Sequence, residues 1–289
     1  MYDITLSISY HYDSPAAVSH NMLRILPRTL PGQQLITGLI TADPRPSFRR
    51  DSLDFFGNVI TEIGYDMPVK DVFFRFAGRV RRNVEASNLD LSPQVGKLAS
   101  DLSAAATLDS ISPHHFTGPS DRIHLHPEIA AFARQQASSS MSVVSAVQAI
   151  SQAIHRELIF DPEATEVATL PIEAFRARRG VCQDFTHIMI TALRSLGIPA
   201  GYVSGFLRTI PPTGQERLEG ADAMHAWVQA WCGMEMGWMQ IDPTNNIVVG
   251  GDHIVVALGR DYSDVAPIKG AIRTVGKHET EHEVNVIPL

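Results

Sequence analysis

The amino-acid sequence predicts an α+β protein: an N-terminal β-sandwich-like unit, then helices followed by an antiparallel sheet. Three observations predict it. Near the start, Ile4, Leu6 and Ile8 alternate with Thr5 and Ser7, the period of a strand with one buried face. Beyond a proline-bearing stretch the period becomes helical, at Val143, Val147, Ile150 and Ile154. Strand-like runs return at Tyr202–Leu207, Met224–Trp231 and Trp238–Asp242, the last stopped by Pro243.

The elements follow in order. Val59-Ile-Thr-Glu-Ile and Val72-Phe-Phe-Arg-Phe-Ala-Gly-Arg-Val add strands, and Asp54-Phe-Phe-Gly-Asn reads as a turn ahead of them. Residues 1–85 are therefore assigned to the β unit. Residues 86–126 hold Pro93, Pro113, Pro119 and the small-residue run Ala99-Ser-Asp-Leu-Ser-Ala-Ala-Ala, and read as a connector with short turns. Residues 127–289 form the second unit. Within it, Pro171 to Arg178 reads as a short helix with proline in its first turn. Cys182 opens a clearer helix, because Phe185, Ile188, Met189, Ala192, Leu193 and Leu196 fall on one face. Gly197 supplies its stop and Pro199 bars continuation.

Composition narrows the function classes. Of 289 residues, 44% are hydrophobic and 19% charged, enough to fill a packed core. A formal net charge of −7 gives no basic footprint, so no nucleic-acid partner is expected. Met1-Tyr-Asp-Ile-Thr-Leu shows neither a charged n-region nor an apolar h-region, and no apolar run reaches the roughly 18 residues that span a bilayer. The expectation is a cytoplasmic protein with no membrane partner. Two cysteines, Cys182 and Cys232, argue against a disulfide framework and leave room for a reactive thiol. His114, His115, His124 and His126 are the metal candidates, but they lie in or beside the connector without spaced cysteine or carboxylate partners. No metal and no organic cofactor are expected.

Chemistry concentrates at three residues. Gly180-Val-Cys places Cys182 in the first turn of its helix, where free N–H groups and the helix dipole favour an anion. A thiolate is such an anion, and the Cys182 N–H could face a developing oxyanion. Taken alone, Cys182 reads equally as a small buried hydrophobe. A nucleophilic thiol needs a base. His187 lies five positions along the helix, about 140° around its axis, and faces away. His225 is the better base. One face of its strand carries His225, Trp227, Gln229 and Trp231, and one face of the next carries Trp238, Gln240 and Asp242. Gly233 and Gly237 allow a hairpin between them. With Trp231 paired to Met236 across a four-residue loop, His225 lies directly opposite Asp242. An orienting carboxylate needs that placement. Cys232 sits in the turn, roughly 24 Å of strand from His225, and reads as a bystander.

The set Gly180-Val-Cys-Gln-Asp-Phe, Arg194-Ser-Leu-Gly-Ile-Pro-Ala-Gly-Tyr-Val-Ser-Gly, His225-Ala-Trp-Val and Gly237-Trp-Met-Gln-Ile-Asp-Pro-Thr-Asn resembles the bacterial transglutaminase-like proteins. Phe160-Asp-Pro-Glu-Ala-Thr and Gly259-Arg-Asp-Tyr-Ser-Asp-Val-Ala-Pro extend the likeness. Pro27-Arg and Asp54-Phe-Phe-Gly-Asn resemble that family's N-terminal domain. The resemblance implies a papain-like fold with Cys182 as nucleophile, His225 as base and Asp242 as orienter. It implies an enzyme acting on amide bonds of a peptide or protein through a thioester, with water as the favoured acceptor and an amine as the alternative. A non-catalytic binding module would be marked by a lost triad member, and none is lost. One departure is Gly201, where the family often has arginine; a changed surface contact is expected there. Arg260 and Asp261 read as a surface ion pair or as cleft lining, and Asp184 as a favourable charge on the helix dipole.

Overall fold

In a computed structural model, residues 1–16, 18–83, 89–209, 222–273 and 277–289 are described; residues 86–88 of the expected connector lie outside them. Six strands come first: β1 (Tyr2–Ala16), β2 (Val18–Leu23), β3 (Gln33–Asp43), β4 (Phe48–Leu53), β5 (Val59–Tyr65) and β6 (Val69–Arg82). The period-two pattern is the burial pattern. Ile4, Leu6 and Ile8 are at most 5% exposed, and in the antiparallel β1–β6 pair Leu6 faces Phe76 and Ile8 faces Phe74. The Asp54–Asn58 turn joins β4 to β5, with Gly57 at φ 75° in the left-handed region that glycine adopts without strain.

The helices and the second sheet follow: α1 (Leu98–Ala104), α2 (Pro127–Gln136), α3 (Val143–Glu157), β7 (Ile159–Phe160), α4 (Pro171–Ala177), β8 (Arg179–Gly180), α5 (Cys182–Ser195), β9 (Ala200–Leu207), β10 (Ala223–Trp231), β11 (Trp238–Asp242), β12 (Ile247–Val248), β13 (His253–Gly259), α6 (Tyr262–Val265), β14 (Ile268–Arg273) and β15 (His278–Pro288). Strands β12-β11-β10-β9-β13 form one sheet in that order. Helix α5 packs on β9, β10 and the helices α2, α3 and α4. Its Phe185, Ile188, Met189 and Leu193 are at most 1% exposed, and each such side chain contributes about 1.5–3 kcal/mol of burial. This central burial fixes where the helix N-terminus, and so Cys182, stands.

Two features depart from the sequence reading. The stretch read as a connector is built into the core: α1 replaces part of the expected turns, and Leu98, Phe116 and Ile123 are at most 1% exposed. The last two strands do not stay with the second unit. β14 pairs with β2 and β15 with β1, giving four-stranded sheets β14-β2-β5-β4 and β15-β1-β6-β3. Long-range strand pairing of this kind has no local sequence signal. Phe76 of β6 stacks on Phe206 of β9 with ring centroids 6.2 Å apart, so the N-terminal sheets and the core share one apolar interior. No helix among the described residues is long and apolar enough to cross a membrane.

Candidate active site

The N-terminus of α5 is built around Asp184. Its N–H donates to Val181 O (2.9 Å), and its carboxylate accepts from Val181 N–H (2.8 Å) and the Thr165 hydroxyl (2.6 Å). This reciprocal cap goes beyond the dipole effect expected for Asp184. Burial pushes the Asp184 carboxyl up, against the Thr165 and Val181 hydrogen bonds that favour its charge. Gly180 makes the cap possible, since a Cβ there would lie 2.5 Å from Asp184 Oδ2. Asp184 and Phe185 N–H both turn back to Val181 O, while those of Cys182 and Gln183 have no backbone acceptor among the described residues.

Cys182 is part-exposed, and its thiol lies near enough to the His225 ring to raise the pKa of the imidazole. The other side of that ring is held by Asp242, with Nε2 2.8 Å from Oδ2, which leaves Nδ1 for the thiol. His225 is 8% exposed and Asp242 fully buried. Of the three residues singled out in the sequence, His225 and Asp242 are in direct contact, and Cys182 acts on the His225 ring from α5. Burial alone would lower the His225 pKa, but the hydrogen bond to Asp242 and the neighbouring Cys182 thiol outweigh it and raise it. Burial likewise opposes ionisation of Asp242, yet donors from His225, His253 and Asn245 hold its carboxyl well below the usual range.

The hairpin register differs from the expected one. Trp231 pairs with Trp238 and Val228 with Ile241, a shift of two residues. Gly233 and Gly237, at φ 96° and 65°, widen the turn, and Cys232 N–H donates to Gly237 O at 2.8 Å. Asp242 is thus diagonal to His225, still within reach of a long side chain. An even shift keeps every side chain on its face. Cys232 is buried and free, and burial pushes its thiol up to about 12. His187 is fully buried, with Nε2 accepting from Tyr262 N–H (3.2 Å), and burial lowers it to about 3.

Sequence reasoning missed two partners of Asp242. His253, on the far strand β13, places Nε2 3.1 Å from Oδ2, and Asn245 Nδ2 donates to the same oxygen at 2.7 Å. The backbone N–H groups of Thr244 and Asn245 donate to Oδ1 at 2.9 and 3.1 Å. Asn245 could have been found as an Asx-type turn residue just past the strand; His253 had no local signal. His225, Asp242 and His253 offer three ligand atoms within 4.8 Å of one another, but each of these atoms is already engaged in a hydrogen bond. Three of the four histidines in the connector are engaged in hydrogen bonds: His114 bonds Ala105 O (2.8 Å), His115 bonds Asp109 O (3.0 Å) and His126 caps α2.

Gly201 is not at a surface. It is buried, and a Cβ there would lie 2.8 Å from both Gly259 O and the Phe116 ring. Arg260 forms an ion pair with Asp264 (2.8 Å) and walls a cavity of about 510 Å³ with Arg24, Phe55 and His115. Asp261 instead accepts from Arg122 and Ser263 N–H at 2.8 and 2.9 Å. Neither Arg260 nor Asp261 bonds the triad residues among the contacts described.

Comparison with known proteins gives a consistent assignment. The pattern described as transglutaminase-like superfamily matches residues 130–243, and the bacterial transglutaminase-like N-terminal region matches residues 2–81. The chain is 30% identical over 300 residues to an uncharacterized protein of Mycobacterium tuberculosis, covering all of this chain and 93% of that one. It is 31% identical over 285 residues to one of Mycobacterium leprae, covering 98% and 97%. A crystal structure from Cytophaga hutchinsonii, described as a candidate cysteine protease, shares the fold with a TM-score of 0.75 at 19% identity, covering 99% of this chain and 89% of that one. With these matches spanning both sheets of the N-terminal unit and the helix that carries Cys182, the chain belongs to the transglutaminase-like superfamily, in its bacterial form with the N-terminal region ahead of the core.

Proposed function

We propose that the protein is a cysteine-dependent enzyme that cleaves amide bonds of a peptide or protein through a thioester on Cys182. The observation that carries this reading is the His225 ring bonded to the buried Asp242 carboxylate and raised in pKa by both Asp242 and the neighbouring Cys182 thiol. A raised His225 pKa supports a thiolate–imidazolium pair, with Asp242 holding the Nε2–H of the ring so that Nδ1 faces sulfur and takes the thiol proton.

The chemistry follows from that pair. The Cys182 thiolate attacks the amide carbonyl carbon, and the carbonyl oxygen takes the negative charge. The N–H groups of Cys182 and Gln183, without backbone acceptors among the described residues, are the donors this reading assigns to that oxyanion. His225 gives its Nδ1 proton to the amide nitrogen, the C–N bond breaks and the amine leaves. Water then attacks the thioester carbon, His225 takes one of its protons, and the C–S bond breaks to release the acid and restore the thiolate. An amine in place of water would give a transferred amide by the same steps.

The test is product analysis. The protein is incubated with glutamine-containing and other peptide pools, with and without an excess of a primary amine. Hydrolysed peptide as the main product in both supports the reading. Amine-bearing product that displaces hydrolysis would make the protein a transferase instead. No product from wild type, or equal product from Cys182→Ala, would refute a Cys182-dependent enzyme.

A further inference from the structure

His253 stands outside the three residues that the proposed chemistry uses, yet it bonds the same oxygen as His225. Strand β13 lies at the far edge of the sheet, next to β9. In the β9–β13 pair His253 faces Leu207, and in the β9–β10 pair Gly205 faces His225. Directly paired and alternate residues share a face, so His253, His225 and Trp227 point the same way. Gly205 opens the path between them. A Cβ there would lie 2.4 Å from the Trp227 ring, and that ring packs edge-on against His253 with centroids 5.1 Å apart.

The donors at Asp242 outnumber the places for them. An ionised carboxylate has about four lone-pair sites, two on each oxygen. Oδ1 receives two backbone N–H groups, whereas Oδ2 receives three side-chain donors: Asn245 at 2.7 Å, His225 at 2.8 Å and His253 at 3.1 Å. A carboxylate oxygen only accepts, so His253 is the Nε2–H tautomer. Its Nδ1 is buried and has no partner among the described residues, so the Asp242 bond is its ring's one hydrogen bond there. His253 and His225 therefore compete for Oδ2.

We propose that His253 is a positioning residue that draws on the same carboxylate oxygen as His225 and so limits how tightly Asp242 holds the His225 ring. The inference rests on the Cys182–His225 pair proposed above. A ring held too tightly as imidazolium is a poor proton donor to a leaving amine, because acid catalysis is best near the working pH. The titratable groups facing the His225 ring are Cys182 from α5, Asp242 from β11 and His253 from β13, and Tyr202 from β9 faces Cys182. Burial and the neighbouring Cys182 hold the Tyr202 hydroxyl protonated well above its usual range, which leaves His253 as the group whose removal changes the competition.

The experiment measures the rate of Cys182 alkylation by iodoacetamide against pH in wild type, His253→Phe and His253→Gln, without substrate. Folding is checked by circular dichroism and melting. His253→Phe removes the donor and leaves four donors for four sites. Its acid limb should move down by about half a pH unit or more, with slower turnover on any substrate. His253→Gln keeps an N–H donor and should stay close to wild type in both. An acid limb that stays in place or moves up in folded His253→Phe overturns the proposal while leaving the catalytic reading intact. A folded His253→Gln that shifts as far as His253→Phe also overturns it, since the donor would then be irrelevant. A wild-type profile with no acid-shifted limb removes the ion pair itself, and both readings fall.

Discussion

Replacing Asp242 by asparagine changes the tautomer of His225, and the structure says why. The backbone N–H groups of Thr244 and Asn245 at the Oδ1 side are fixed donors. The asparagine oxygen must face them, which places its NH2 where Oδ2 now meets His225. The His225 Nε2 must then accept, its proton moves to Nδ1, and the neutral ring can no longer take a proton from Cys182. Charge is lost as well. Two unit charges 2.8 Å apart interact by about 6 kcal/mol at an effective dielectric constant near 20. If half of that survives the cost of burying the imidazolium, the pair is weakened by about two pH units. The acid limb of Cys182 alkylation in Asp242→Asn should move up by that amount, and turnover should fall by a hundredfold or more, as roughly for other triad carboxylates. Cys232, buried and pushed up to about 12, is the internal thiol control. Stability should also fall, by about 1–3 kcal/mol, because the NH2 opposes the Asn245 and His253 donors. An acid-shifted alkylation profile that persists in folded Asp242→Asn would refute the reasoning.

Two further outcomes are expected. Gly201→Ala puts a methyl group against Gly259 O and Phe116, an overpacking that costs about 1–3 kcal/mol, so its melting temperature should drop; an unchanged melting curve would contradict the packing. His187 is held neutral by burial, with its pKa lowered to about 3. Below about 6.5 the unfolded chain binds a proton there that the folded chain does not, so stability should rise with pH between about 3 and 6.5, by up to about 1.4 kcal/mol per unit. His187→Gln keeps an acceptor for Tyr262 N–H and should flatten that slope in chemical denaturation at several pH values; an unchanged slope would place the titration elsewhere.

Much of the fold and the three site residues were legible in the sequence because their signals are local. Ile4, Leu6 and Ile8 carry the strand period themselves, and Cys182 is placed by the glycine before it and the apolar face after it. The His225–Asp242 pairing survived a wrong register because a two-residue shift preserves faces; a shift of one would have turned Asp242 away. What was not legible is non-local. His253 reaches Asp242 from the far strand over Gly205. β14 and β15 complete sheets begun more than 200 residues earlier. Gly201 was read as a surface departure because nothing in its neighbours reveals that Phe116 lies over it.

The most direct test of the account is the acyl group itself. Wild-type protein mixed with an amide peptide it cleaves is quenched in acid within its first turnovers, and its intact and peptide masses are measured. The account predicts the acyl mass on Cys182 alone, removed by neutral hydroxylamine and absent from Cys182→Ala. Peptide cleavage with no acyl mass on Cys182, and no loss of cleavage in Cys182→Ala, would contradict it.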